Sequence, residues 1–415
     1  MARAGRAVAQ VGDEDGDRGR DPGGRHDAIL PDRPSLVACR SSPWALRCRS
    51  VDPAAPSSAG PLQLGVPAVR PDSIRPGSTR PLARIAGLGV ALPAGVESIE
   101  EIEARIEQES GRLPVPRGTL AAISGIRSRR AVGPGEYAST LAANAARCAL
   151  EDAGIGLQDI DLLIFASTSQ DQIEPATAHN VAHELGWRDG SAFDVKNACN
   201  SFVEGIRVAE AMLATGAARR ALVTTGETPT LAARYAVPDR RGFRHAFIGY
   251  TVGDVGGAVV LEPSDDDRGV FYRDSWSASQ HWAVSTVPGG GSRHPRGDEH
   301  LYAGGNGGEL RDIVRAFDPT LATRVFDATG TTPDDFALFI VHQVTAPFAD
   351  EMIGRLGFPA ARVERTIEAY GNVASGTMPL ALACARDAGR VRRGDNVLFV
   401  GLGAGISVAT MAIRL

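Results

Sequence analysis

Cys199 lies where a chain can make a thiol reactive. Residues 192–195 read as a short strand. The helix after the cysteine carries Phe202, Val203, Ile206, Ala209, Met212 and Leu213 at helical spacing. Gly216 stands where that helix should stop, and residues 221–225 read as a second, buried strand. A strand-to-helix junction aims unpaired helix N–H groups and the positive dipole end at the sulfur, which favours thiolate over thiol. The chemistry on offer is that of a nucleophilic sulfur. The competing reading is a small buried hydrophobe, the usual state of a free cysteine.

The second half of the chain echoes the first. Residues 335–341 match 161–165, residues 378–389 match the helix after Cys199, and residues 392–400 match 219–224. Two copies of one strand–helix unit would stack as layers and bring corresponding loops to one centre. Those loops carry Cys199 from the first copy and His342 and Asn372 from the second. Singly, His342 reads as a core histidine and Asn372 as a turn residue before a helix. Together with Cys199 they form a nucleophile with oriented partners.

The frame around these residues is ordinary. At 415 residues the chain has room for two cores, and 43% hydrophobic content, 22% charge and a net charge of -5 describe a soluble globular protein. No basic excess points to nucleic acid, and no apolar run reaches membrane-spanning length, so neither nucleic-acid binding nor membrane insertion is expected. Cys39, Cys48, Cys148, Cys199 and Cys384 show no CxxC spacing, which reads as reduced thiols in a cytoplasmic protein. Lys196 is the only lysine, a codon-bias signature. Residues 1–80 carry ten prolines, repeated Gly and Arg, and no hydrophobic period. They read as a disordered extension, dispensable for folding and activity. Order is expected from about Leu82, as an N-terminal half (81–265) holding the cysteine and a C-terminal half (266–415) holding His342 and Asn372.

Four motifs stand in order around the cysteine: Gly253-Asp-Val-Gly-Gly257, Val341-His-Gln-Val344, Gly371-Asn-Val-Ala-Ser-Gly-Thr-Met-Pro-Leu380 and Gly403-Ala-Gly-Ile-Ser407. With them, residues 82–415 resemble the β-ketoacyl synthase III branch of the thiolase superfamily. The resemblance implies an α/β fold of five layers, αβαβα, built from two similar halves, and a homodimer. It implies that Cys199 takes an acyl group from a carrier, with the backbone N–H groups of Cys199 and Ala404 as the oxyanion hole. His342 Nε2 and the Asn372 amide would then hold the enolate formed when a malonyl carrier loses CO2. No cofactor is implied beyond the substrates, acyl-CoA or acyl carrier protein thioesters.

The departures bear on substrate. Gly125-Ile-Arg127 is present, but Thr119 and Ile123 stand where the family has the tryptophan and arginine that sandwich the adenine of coenzyme A. Val344, Thr345 and Pro347 replace its usual Ala-Asn and arginine after the histidine. Ile173-Glu-Pro-Ala-Thr177, Asn197-Ala-Cys199 and Gly226-Glu-Thr228 resemble the acyl-CoA condensing enzymes of long-chain olefin synthesis. In those, a glutamate at the position of Glu174 reaches the partner's site and removes an α-proton, so condensation needs no decarboxylation. A surface glutamate beside a helix N-terminus is the equal alternative for Glu174.

Other candidates are weaker. His179 and His183 lie four apart on one helix, with Asn180 where a zinc protease needs glutamate. His294, Asp298 and His300 share a glycine-rich loop without further ligand pattern, so no metal is expected. Arg240-Arg-Gly-Phe-Arg-His245 reads as a solvated basic loop able to touch a carrier phosphate. Acyl transfer to an alcohol or amine, in a polyketide or other natural-product pathway, is the remaining enzymatic alternative. A non-catalytic partner subunit is disfavoured by the intact Cys199, His342 and Asn372.

Overall fold

In the computed structural model, which describes residues 82–415, the apolar runs become two mixed sheets. The 1–80 extension lies outside the described residues. The first sheet contains β1 (Ala83–Ala91), β2 (Leu162–Ala166), β3 (Ser191–Val195), β4 (Ala221–Glu227) and β5 (Val255–Pro263). The second contains β6 (Gly269–Ser277), β7 (Leu338–Val341), β8 (Asn396–Gly403) and β9 (Ser407–Arg414).

The sheets are duplicates in connectivity. Order β1-β5-β4-β2-β3 in the first corresponds to β6-β9-β8-β7 in the second. The pairs β2–β4 and β7–β8 are parallel, and the remaining joins of the duplicated strands are antiparallel. This is the repeat expected from the paired motifs. β3 extends only the first sheet and pairs there with β2.

The principal helices are α1 (Ala138–Ala153), α2 (Thr177–Leu185), α3 (Ser201–Ala214), α4 (Arg240–Thr251), α5 (Thr320–Thr329), α6 (Ala346–Leu356) and α7 (Thr377–Asp387). Phe202, Val203, Ile206 and Leu213 of α3 and Met378, Ala381 and Leu382 of α7 share one core with strands of both sheets. These helices therefore form the central layer. The alanine face of α1 and Ala178 and Val181 of α2 cover the first sheet. Leu321, Ala322 and Val325 of α5 and Met352, Ile353 and Leu356 of α6 cover the second. β2 shows why its sequence has no polar alternation: Ile164 joins the central core, while Leu163 and Phe165 join the outer one. The expected αβαβα layering results. Phe202 anchors the helix that follows Cys199, and burial of such a side chain contributes roughly 1.5–3 kcal/mol.

One helix start is set from a neighbouring strand, and one local expectation is corrected. α2 begins at Thr177, where Asp194 of β3 accepts the N–H groups of Thr177 and Ala178, both at 2.8 Å. The stretch 240–245 is helix, not loop. Asp239 caps it by accepting the Gly242 N–H at 2.8 Å, and Phe243, Ala246 and Tyr250 bury one face at helical spacing.

Candidate active site

Cys199 stands in the turn between β3 and α3, two residues before the first helical residue. Ala198 has a positive φ of 48°. Ser201 locks the turn, its Oγ accepting the Asn197 N–H at 2.8 Å and donating to the Ala198 carbonyl at 2.7 Å. The backbone N–H groups of Ala404 and of Cys199 itself donate to the sulfur. The thiolate expected from the junction does not result. Burial of the sulfur first, and the charge of Glu227 second, push the thiol up to about 12, outweighing those two donors.

Glu227 ends β4 and is fully buried. It accepts the Thr168 N–H at 2.9 Å, the Ser169 hydroxyl at 3.2 Å, and the hydroxyls of Thr168 and Ser375. Sequence reading passed over its support role; the run of hydroxyls at 167–169 was the available signal.

His342 caps β7, its N–H bonded to the Val400 carbonyl at 2.9 Å. Its Nδ1 lies 3.2 Å from Thr377 Oγ1, and that hydroxyl donates to the Ala374 carbonyl at 2.9 Å. A hydroxyl has one proton, so the pattern assigns the ring proton to Nδ1 and leaves Nε2 an acceptor. Nε2 is buried and has no hydrogen-bond partner among the described residues. Burial lowers the ring's pKa to about 4, so His342 is neutral across the working range. The donor Nε2 expected from sequence is thus the other tautomer of this ring.

Asn372 is held through its backbone, which donates to Thr251 at 2.8 Å and accepts from Gly253 at 3.0 Å. Its Oδ1 accepts the Ala374 N–H at 3.0 Å, leaving Nδ2 as the donor outside that turn. Ala374 therefore fixes both groups: its N–H orients Asn372, and its carbonyl orients Thr377 and through it His342. Ser375 next to it bonds to Glu227, whose charge acts on Cys199. Gln343 adds a further brace, donating to Glu364 and accepting from Thr366 and Ile367. Asp254 braces the loop opposite Asn372 by accepting the N–H groups of Val132 and Thr230.

A cavity of about 910 Å³ reaches Thr251 and Val344, one bonded to Asn372 and the other two residues after His342. Phe243, Phe247 and Phe348 line it, with Arg241, Arg244 and Arg311 among its charged groups and Ile123 on its wall. A cleft of about 630 Å³ lies at the opposite end of β7 and β8, lined by Asp334, Arg362 and Arg414, away from these residues.

Glu174 is not gathered with them. It is exposed on the loop before α2, and the N-terminus of that helix is already occupied by Asp194. That removes the helix-dipole account of Glu174. His179 and His183 are exposed on α2, and the rings of His294 and His300 lie 3.9 Å apart. Among the described residues no group of three or more His, Cys, Asp or Glu is placed to hold a metal ion, and no helix is long and apolar enough to cross a membrane.

The raised thiol pKa has a measurable consequence. At pH 7.5, iodoacetamide is expected to label Cys199 far more slowly than the exposed Cys148. Labelling of Cys199 should still climb about tenfold per pH unit between pH 8 and 10, since thiolate is the nucleophile. Peptide mapping after timed labelling measures both sites; a plateau below pH 8 would mean a thiolate at rest.

Two family descriptions match the chain: 3-oxoacyl-[acyl-carrier-protein] synthase III over residues 193–278, and its C-terminal domain over 326–415. The β-ketoacyl-[acyl-carrier-protein] synthase III of Rhizobium meliloti is 34% identical over 340 residues, covering 80% of this chain and 98% of the relative. That of Roseiflexus sp. is 33% identical over 349 residues, with the same shares covered. Among solved structures, Xanthomonas campestris OleA with bound lauric acid and lauroyl-CoA superimposes with a TM-score of 0.71 at 28% identity, covering 80% of this chain and 99% of that one. The Aquifex aeolicus 3-oxoacyl-[acyl-carrier-protein] synthase III gives a TM-score of 0.69 at 26% identity, covering 80% and 100%. With a cysteine at the strand-to-helix turn, and a histidine and an asparagine locked to one alanine, the chain belongs to the β-ketoacyl-acyl-carrier-protein synthase III family of acyl-transferring condensing enzymes, in the thiolase fold.

Proposed function

We propose that Cys199 accepts an acyl group from a thioester and joins it, by decarboxylative Claisen condensation, to a malonyl unit on a carrier protein. The observation that carries this reading is the common anchoring of Asn372 and His342 on Ala374, beside the Ser375–Glu227 contact that leads back to Cys199. In the loading step Sγ attacks the thioester carbon and its proton passes to His342 Nε2. The carrier C–S bond breaks, and the departing thiolate takes that proton. The N–H groups of Cys199 and Ala404 hold the oxyanion.

In the second step the malonyl thioester loses CO2, and the electron pair of the broken C–C bond becomes an enolate. Asn372 Nδ2 and His342 Nε2–H hold its oxygen. For this step the ring takes its other tautomer: Nδ1 gives up its proton to water, Nε2 takes one from water, and the Thr377 hydroxyl turns from the Ala374 carbonyl to donate to Nδ1. The enolate carbon attacks the acyl carbonyl, the C–S bond to Cys199 breaks, and the thiolate takes a proton from water. The apolar cavity with Arg241 and Arg244 suits a pantetheine arm ending in a phosphate, and Ile123 on its wall offers no planar ring against a nucleobase. These features favour a carrier protein over coenzyme A as the acyl donor. Loading from acyl-CoA and acyl-carrier thioesters, followed by malonyl carrier and mass spectrometry, tests the reading. Loaded Cys199 that yields no β-ketoacyl carrier overturns it.

A second reading has its own observation. β3 pairs on one side with β2, and among the described residues no strand occupies its other edge. Two copies joined along that edge would make a homodimer. The loop carrying Glu174 lies beside β3, tied to it by Asp194 and by Lys196 Nζ bonded to Gln170 at 3.0 Å. Glu174, exposed and without a side-chain partner among the described residues, would then face a partner's site and remove an α-proton from a saturated acyl thioester. The malonyl route is favoured because it needs only His342 and Asn372. On it, Glu174→Gln is expected to change malonyl-dependent turnover by less than about threefold, since a group outside the transition state leaves kcat unmoved. Product from two saturated acyl thioesters without malonate, lost in Glu174→Gln, would establish the other route.

A further inference from the structure

We infer that Asn200 sets the oxyanion hole, as a positioning residue that pins the nucleophile turn of the first half to the glycine loop of the second. The inference rests on the acyl-loading reading of Cys199.

Asn200 follows Cys199 directly and is the residue before the first turn of α3. Asparagine is a favoured N-cap because its side-chain oxygen takes a free helix N–H. Here the side chain makes no capping bond. It is fully buried and turned across to the C-terminal loop, where Nδ2 donates to Ser407 Oγ at 2.8 Å and to the Ser407 carbonyl at 3.2 Å. The carbonyl partner can only accept, which fixes the amide orientation. Oδ1 is left buried with no donor.

The loop on the other side is shaped to receive this amide. A Cβ on Gly401 would lie 2.0 Å from Asn200 Oδ1, and one on Gly403 would lie 3.0 Å from Nδ2. Between Gly403 and Ser407 sits Ala404, whose N–H donates to the Cys199 sulfur. The two N–H groups of the hole thus belong to segments far apart in sequence, and the Asn200–Ser407 bonds join them a few residues from each. In loading, the thioester carbonyl carbon gains a bond to Cys199 Sγ, its oxygen takes the negative charge between those N–H groups, and collapse expels the carrier thiolate. Stabilisation of that charge depends on both donors being in place. Alkylation of the same sulfur develops no carbonyl oxyanion and does not.

Asn200→Ala is therefore expected to slow single-turnover acylation of Cys199 by about 10- to 100-fold, since misplaced groups cost on that order. The apparent KM for the thioester should stay within about twofold of the parent. The iodoacetamide rate at Cys199 should fall by less than the acylation rate, because alkylation loses only the Ala404 donor to the thiolate and not a hole for a carbonyl oxyanion. Ser407→Ala should show a smaller loss of the same kind, and the double variant should lose no more than Asn200→Ala alone. Equal falls in acylation and alkylation, or acylation within twofold of the parent, overturn the inference. If Asn200→Ala does not fold, Ser407→Ala decides by the same pair of rates. If the parent accepts no acyl group from any thioester, the loading reading has failed. Amide exchange at Ala404 then decides this one: faster exchange in Asn200→Ala supports it, and unchanged exchange overturns it.

Discussion

Incubated with a competent acyl thioester, the protein is expected to gain one acyl mass on the peptide containing Cys199, and Cys199→Ala is expected to gain none. Five cysteines are present, so mapping the site matters more than counting thiols. The structure separates Cys199 from the exposed Cys148 and the half-buried Cys384 by one feature, a second N–H group at its sulfur, from Ala404, beside the residue's own. An oxyanion formed at that sulfur would meet both donors. The thiol's pKa of about 12 does not weigh against the role. Burial suppresses the free thiolate at rest, and in the proposed loading step the neutral His342, whose Nε2 has no partner among the described residues, takes the proton as the carbonyl is attacked. Acyl mass retained at full level in Cys199→Ala would remove the nucleophile from the proposed chemistry.

Asn372→Ala is expected to leave loading of Cys199 nearly intact while slowing condensation with malonyl carrier by about 100- to 1000-fold, the usual effect of removing one oxyanion donor. The asymmetry follows from where the side chain is held. Asn372 is braced by Ala374 and Thr251, on the side of the C-terminal motifs, while the donors proposed for loading are the main-chain N–H groups of Cys199 and Ala404. Intact protein mass spectrometry after a loading pulse reads the first step, and β-ketoacyl carrier formed in a single turnover reads the second. Loss of both steps together would mean that the side chain holds the whole site in shape. Loss of neither would leave His342 as the sole enolate partner.

Much of this was legible in sequence because the information is periodic or local. The buried run 161–165 and its echo at 335–341 read as matching strands, and they became β2 inside the first sheet and β7 at the edge of the second. The spacing of Phe202, Val203, Ile206 and Leu213 was enough to give a helix with one buried face, and the tertiary structure set α3 between two sheets. The motifs around 199, 342 and 372 pointed to thioester chemistry through their resemblance to a known family. Where helices begin was less legible, since Asp194 starts α2 from a neighbouring strand and no local pattern carries that fact.

Tertiary structure alone decided the electrical state of the site. A strand-to-helix junction argues for a thiolate, yet burial and Glu227 act across space and reverse it, because removing a charge from water outweighs two N–H donors. The tautomer of His342 hangs on Thr377, thirty-five positions away, and on the carbonyl to which that hydroxyl is already committed. Asn200 looks like a helix cap in the chain and is instead a strut to Ser407, 207 positions on. Residue types set what chemistry was available; contacts between segments distant in sequence set which protonation state and which donor each residue presents.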